Sequence, residues 1–130
     1  MKIISRLALF LLLPSLVFFP GCKKNGLGGH GVIDVYVKSQ NNLVPGATVY
    51  IKYNAKEFPG PELSQYDDRI TTGTSGPSYG FTTVQNLLKG DYYLYAIGYD
   101  SSLSATVTGG FHVKLRHARE KVVRDLNVNP

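Results

Sequence analysis

The chain has 130 residues, 43% of them hydrophobic, with 14 Lys and Arg against 9 Asp and Glu, a formal charge of +5. That length fits one domain, and a single cysteine excludes an intramolecular disulfide framework. The basic excess is small and dispersed along the sequence, and no dense basic run with groove-reading or stacking residues accompanies it, which argues against a nucleic-acid partner.

The first residues differ from the rest. Lys2 and Arg6 precede an apolar run over residues 7–19 that is interrupted only by Pro14 and Ser15. A positive start followed by a short apolar run is the pattern of an export signal. The run is shorter than the roughly 20 residues that span a bilayer, and Pro14 would break a helix at its middle. Residues 1–21 are therefore expected to be a cleaved signal peptide. Cys22, the lone thiol, follows at once. Phe19-Pro20-Gly21-Cys22 resembles a lipobox, with a small residue immediately before the cysteine, while Phe19 and Pro20 depart from the usual Leu and small residue. The resemblance implies a diacylglyceryl group on the Cys22 sulfur and an acylated new N-terminus. One acyl chain anchors a protein only marginally, whereas several hold it for good. In lipoproteins of this kind an aspartate after the cysteine favours the inner membrane. Lys23 and Lys24 stand here instead, so a periplasm-facing place on the outer membrane is expected.

Residues 23–31 read Lys-Lys-Asn-Gly-Leu-Gly-Gly-His-Gly, a composition expected to form a flexible tether over residues 22–31, with His30 incidental within it. From residue 32 onward apolar and polar residues alternate in short runs, the period of half-buried strands. Residues 32–38 place Ile33, Val35 and Val37 on one face. Residues 41–46 carry Asn-Asn and Pro-Gly turn signals. Residues 47–53 place Ala47, Val49, Ile51 and Tyr53 together. Residues 53–68 contain Pro59-Gly60-Pro61 without periodicity and predict a long excursion. Short strands are expected near residues 69–72 and 79–83, and a tyrosine-rich one over 91–99. Residues 105–108 and 111–115 predict a strand interrupted at Gly109-Gly110. Residues 122–128 close the domain, with Leu126 and Val128 facing inward. Six to eight strands in about 100 residues, with no helical periodicity, predict an all-β sandwich or barrel over residues 32–130.

Two segments carry a resemblance. Val44-Pro45-Gly46-Ala47-Thr48-Val49-Tyr50-Ile51 follows a strand and a polar turn. Gly80, Leu87, Gly90, Tyr92 and Leu94 then recur at the spacing G-x6-L-x2-G-x-Y-x-L. Together they resemble the carboxypeptidase regulatory-like domain, across nearly all of residues 32–128. Thr82 departs from that pattern, where an aromatic is usual. The resemblance implies a transthyretin-like, seven-stranded antiparallel Greek-key sandwich. It also implies an accessory module without an active site or cofactor, rather than an enzyme.

The residues agree with that expectation. His112 and His117 are five apart, which on a strand sends them to opposite faces, and neither has a cysteine or carboxylate at metal-ligand spacing. Asp67, Asp68 and Asp100 read as turn residues rather than a calcium loop. Transthyretin-like hydrolases end in Tyr-Arg-Gly-Ser, whereas this chain ends Asn127-Val128-Asn129-Pro130. Lys38 and Asn127 resemble the pair that forms an isopeptide bond in related adhesin domains, but Ala96 occupies the place of the acid that step requires. A hydrolase would need His112, Asp100 and a serine gathered in one pocket. The remaining candidates are aromatic. With Tyr92, Leu94 and Ala96 facing the core, Tyr93, Tyr95 and Tyr99 face outward, as do Tyr36 and Tyr50 from their own strands. An open tyrosine face would suit a protein or glycan partner in the envelope; an excursion folded over it would remove a glycan platform.

Overall fold

The computed structural model describes residues 26–130. The expected signal peptide, Cys22, Lys23 and Lys24 lie outside the described residues. Within them the chain is all-β, with eight strands and two short 3-10 turns at Leu63–Gln65 and Gly76–Ser78. The strands are β1 Leu27–Ser39, β2 Asn42–Leu43, β3 Thr48–Tyr53, β4 Asp68–Thr71, β5 Phe81–Leu87, β6 Gly90–Asp100, β7 Ala105–Leu115 and β8 Lys121–Asn127. They form two facing sheets. In one, β1 lies between β5 and β8 and pairs at its end with β2. In the other the order is β4-β3-β6-β7.

The alternation read from the sequence is the reason the sheets stack. Ile33, Val35 and Val37 on β1, Val49 and Ile51 on β3, and Tyr92, Leu94 and Ala96 on β6 are all buried. They join Val107, Val113 and Leu115 of β7 and Leu126 and Val128 at the C-terminus in one core. Removing this apolar surface from water is what holds the sheets together, at about 1.5–3 kcal/mol for each large side chain.

Four details differ from the sequence expectations. First, the predicted tether is shortened by the fold. Residues 27–31 are the start of β1 and pair with Leu87, and the Gly26 carbonyl accepts the Leu88 amide at 2.7 Å. The glycines serve close approach here: a Cβ on Gly29 would stand 2.2 Å from the Leu87 carbonyl oxygen. Second, β7 is continuous through Gly109-Gly110. A Cβ on Gly109 would sit 2.1 Å from the Asn127 carbonyl oxygen, and one on Gly110 would strike Leu94 and the Tyr93 ring. The pair admits neighbouring backbone rather than interrupting the strand. Third, β5 does not stop near residue 83, where the alternation ends, but runs to Leu87, as the Gly80-x6-Leu87-x2-Gly90 spacing implies, because Gln85 and Asn86 form a bulge, with Asn86 at φ 61°. The extra residue puts Val84 and Leu87 both inside and hides the strand's period. Fourth, the sheets are not wholly antiparallel: β8 runs parallel to β1 from Val32↔Lys121 to Lys38↔Asn127.

Local chemistry fixes the connections. Gln40 and Asn41 have φ 48° and 66°, a two-residue turn with both φ positive that suits the twist of the β1–β2 hairpin. At the next crossing between sheets, the buried Thr72 hydroxyl donates to the Val44 carbonyl at 3.1 Å and accepts the Ala47 amide at 2.9 Å. The C-terminus ties the two sheets together: the Val128 amide donates to Lys38, while Asn129 exchanges two backbone hydrogen bonds with Thr108.

Candidate ligand surfaces

The five outward tyrosines do not make one surface. Tyr93 and Tyr95 lie on the outer face of the β4-β3-β6-β7 sheet, but the excursion after β3 folds over them. The Phe58 ring sits 5.8 Å from Tyr93 and 5.2 Å from Tyr95, and Tyr66 stacks on Tyr95 at 5.8 Å with an 18° interplanar angle. Tyr50, the register partner of Tyr95, also meets Tyr66, with ring centroids 5.8 Å apart. Burial pushes the Tyr66 phenol up to about 12, with Tyr95 and Tyr93 adding to the effect, and raises Tyr93 as well. Asp67 holds the end of the excursion in place: it accepts the Tyr53 amide at 2.7 Å and lies 3.6 Å from the Lys52 amine. Tyr36 is on the other sheet, against Phe81 at 4.7 Å. Tyr99 stands apart at the far end of β6, 57% exposed, beside a groove of about 400 Å³ that Tyr79 and Ser102 also line. The open platform needed to stack a sugar is thus covered at Tyr93 and Tyr95.

The polar candidates are likewise dispersed. His112 pairs with Asp91 at 2.8 Å across the β6–β7 ladder, and that hydrogen bond holds the Asp91 carboxyl below its usual range against the opposing effect of burial. Asp100 is at the other end of β6. Its Oδ1 accepts the Ser102 hydroxyl at 2.6 Å and the Ser102 amide at 2.9 Å. The Ser102 hydroxyl and then Ser39 lower its pKa. Tyr93 is the partner of His112 in the ladder, and Asp100 lies seven residues further along the same strand. At strand rise that is about 23 Å, so these residues cannot share one proton relay. Asp100 accepts the amide of Ser102 as a turn aspartate does, Asp68 at the start of β4 accepts that of Arg69, and Asp67 accepts that of Tyr53, fourteen residues back. Among the described residues no three His, Cys, Asp or Glu side chains gather as metal ligands.

Lys38 and Asn127 do stand opposite each other, as register partners on β1 and β8. The Lys38 amine, however, is 2.8 Å from Asp125 on a partly exposed face, while Ala96 lies buried in the other sheet. Without a buried acid beside the pair, an ordinary surface ion pair accounts for the lysine.

No protein-family model matches the chain, and no curated protein matches it significantly.

Proposed function

We propose that this chain is a lipid-anchored envelope protein whose sandwich is a non-enzymatic binding or structural module, of the carboxypeptidase regulatory-like kind. The carrying observation is the order of parts at the N-terminus. A basic, then apolar, leader ends on the lone Cys22, and four residues later the chain is already fixed at Gly26. An acylated Cys22 would hold the domain against a membrane with almost no slack. Lys23 and Lys24 in place of an aspartate favour the outer membrane, and a periplasm-facing orientation is part of the reading. The separation of His112 from Asp100 and its serine neighbour Ser102 supports a module that binds or braces rather than one that turns over a substrate.

The test is fractionation of the wild-type chain and a Cys22→Ala variant from a bacterial host, with a fatty-acid label on the protein. Wild type is expected in the membrane fraction, carrying label, and the variant unlabelled. A variant that still sediments with membranes at the wild-type level refutes the anchor.

A further inference from the structure

The tightest basic cluster of the sequence, Arg116 to Arg124, begins at one end of the sandwich, and there the fold brings Lys89 beside it. The start of β1, the turn between β5 and β6, and the turn after β7 meet around a groove of about 450 Å³, walled by Gly29, His30, Leu88, Lys89, Arg116 and His117. A neighbouring hollow shares Lys89 and Arg116 and adds Lys114. Arg119 and Lys121 flank Glu120 at the turn after β7, and Asp91 at this end shares a hollow with Glu57, Lys52 and Lys56. Asp91 and Glu120 are occupied. Asp91 holds His112, and Glu120 accepts the backbone amides of Arg116 and His117. Lys121 is paired with Asp34 at 3.1 Å. Among the described residues, Lys89, Arg116 and Arg119 have no carboxylate within ion-pair distance. The opposite end is different: residues 39–47, 72–80, 101–104 and 127–130 contain no Lys or Arg.

Gly26 opens the described chain at the basic end, so the four residues back to Cys22 reach at most about 14 Å. That is less than two Debye lengths at physiological salt, about 8 Å each. From this geometry we infer that the groove of Lys89, Arg116 and His117 seats the phosphate of an anionic lipid headgroup in the membrane to which the chain is anchored. The inference rests on the Cys22 reading for its choice of ligand source. An Arg fork and a Lys point charge suit phosphate oxygens, and Leu88 with the adjoining glycines leaves a wall low enough for a headgroup to approach. Bound so, the sandwich would stand on the bilayer with its cation-free end pointing away.

The experiment uses the unlipidated full chain, Cys22→Ala, with vesicles of phosphatidylcholine alone or with about one-third phosphatidylglycerol. Its partner carries Lys89→Ala, Arg116→Ala and Arg119→Ala in addition. Both keep the apolar segment of residues 7–19, whose contribution cancels in the comparison. The parent is expected to prefer the anionic vesicles and to lose the preference in high salt. The triple variant should bind them about 100-fold more weakly, on the scale of about fivefold per cation at an anionic surface. Exchanging Lys89→Arg, Arg116→Lys and Arg119→Lys should retain binding. Equal binding by the parent and the alanine variant, or no preference for the anionic lipid, overturns the inference. Saturable binding of inorganic phosphate that displaces the protein from vesicles overturns the lipid source in favour of a soluble phosphate. Because the measurement uses an unlipidated chain, its failure leaves the anchor untouched. A failed anchor in cells likewise leaves the vesicle result standing.

Discussion

Tyr92 has no exposed surface, yet its hydroxyl is not wasted: it donates to the Leu88 carbonyl and lies 3.4 Å from that of Gly26. Its ring meets Tyr53 edge-on at 5.9 Å, and Tyr53 in turn covers Gly26. One residue thus joins the core to the point where the chain enters the domain. Tyr92→Phe would leave the half-buried Leu88 carbonyl without this donor, and a loss of about 1–3 kcal/mol is expected, read from urea unfolding. The same burial pushes the Tyr92 phenol up to about 12. The folded state therefore keeps a proton that an unfolded tyrosine releases near 10. Stability should be intact below pH 10 and decline as pH rises toward 12, with a shallower decline in Tyr92→Phe. A slope unchanged by that substitution would assign the effect to the other buried tyrosines, Tyr53, Tyr66 and Tyr93.

Among the elements, β7 and the C-terminal segment approach closely enough that a Cβ on Gly109 would stand 2.1 Å from the Asn127 carbonyl oxygen. Gly109 is the residue that allows it, since a methyl group there meets backbone that has nowhere to move. Gly109→Ala is expected to cost about 1–3 kcal/mol, the usual range for overpacking. Faster amide hydrogen exchange at Thr108 and Asn129 should accompany the loss, because their mutual hydrogen bonds are the first to open. Unchanged protection at those two amides would show that the strand shifts to absorb the methyl group. The β5 bulge works differently. It spends Gln85 and Asn86 on solvent so that Leu87 can reach the core, and the reversal into β6 then brings Lys89 beside Arg116.

At the scale of the whole molecule, the first and last strands are neighbours: β8 lies alongside β1 and parallel to it. The last strand and its extension contribute Val122, Leu126 and Val128 to the core. At about 2 kcal/mol for each buried side chain, their removal approaches the whole stability of a small domain, about 5–15 kcal/mol. A chain ending at residue 121 should show no cooperative unfolding transition by circular dichroism, whereas one lacking only Pro130 should unfold as the wild type does. The same closure gives the molecule its polarity. Lys89 and the segment from Lys114 to Lys121, far apart in the chain, share one end because every long strand runs the length of the sandwich.

Much of this was legible in the residues themselves. The period-2 alternation at Ile33-Val35-Val37 and Tyr92-Leu94-Ala96 fixes which side chains are buried, because a strand sends neighbours to opposite faces whatever lies beyond it. The proline-rich excursion after Tyr53 could be read for the same local reason. The bulge at Gln85-Asn86 could not, since it breaks the period that reveals a strand. Nor could the role of Gly29 and Gly109, where the missing Cβ matters only to a backbone distant in sequence. The tyrosines show the limit most directly. Alternation points Tyr93 and Tyr95 outward, but only the tertiary structure brings Phe58 and Tyr66 over them. The basic end is the same case with charge: a sequence orders Lys89 and Arg116 along a line, and Coulomb interactions depend on distance in space.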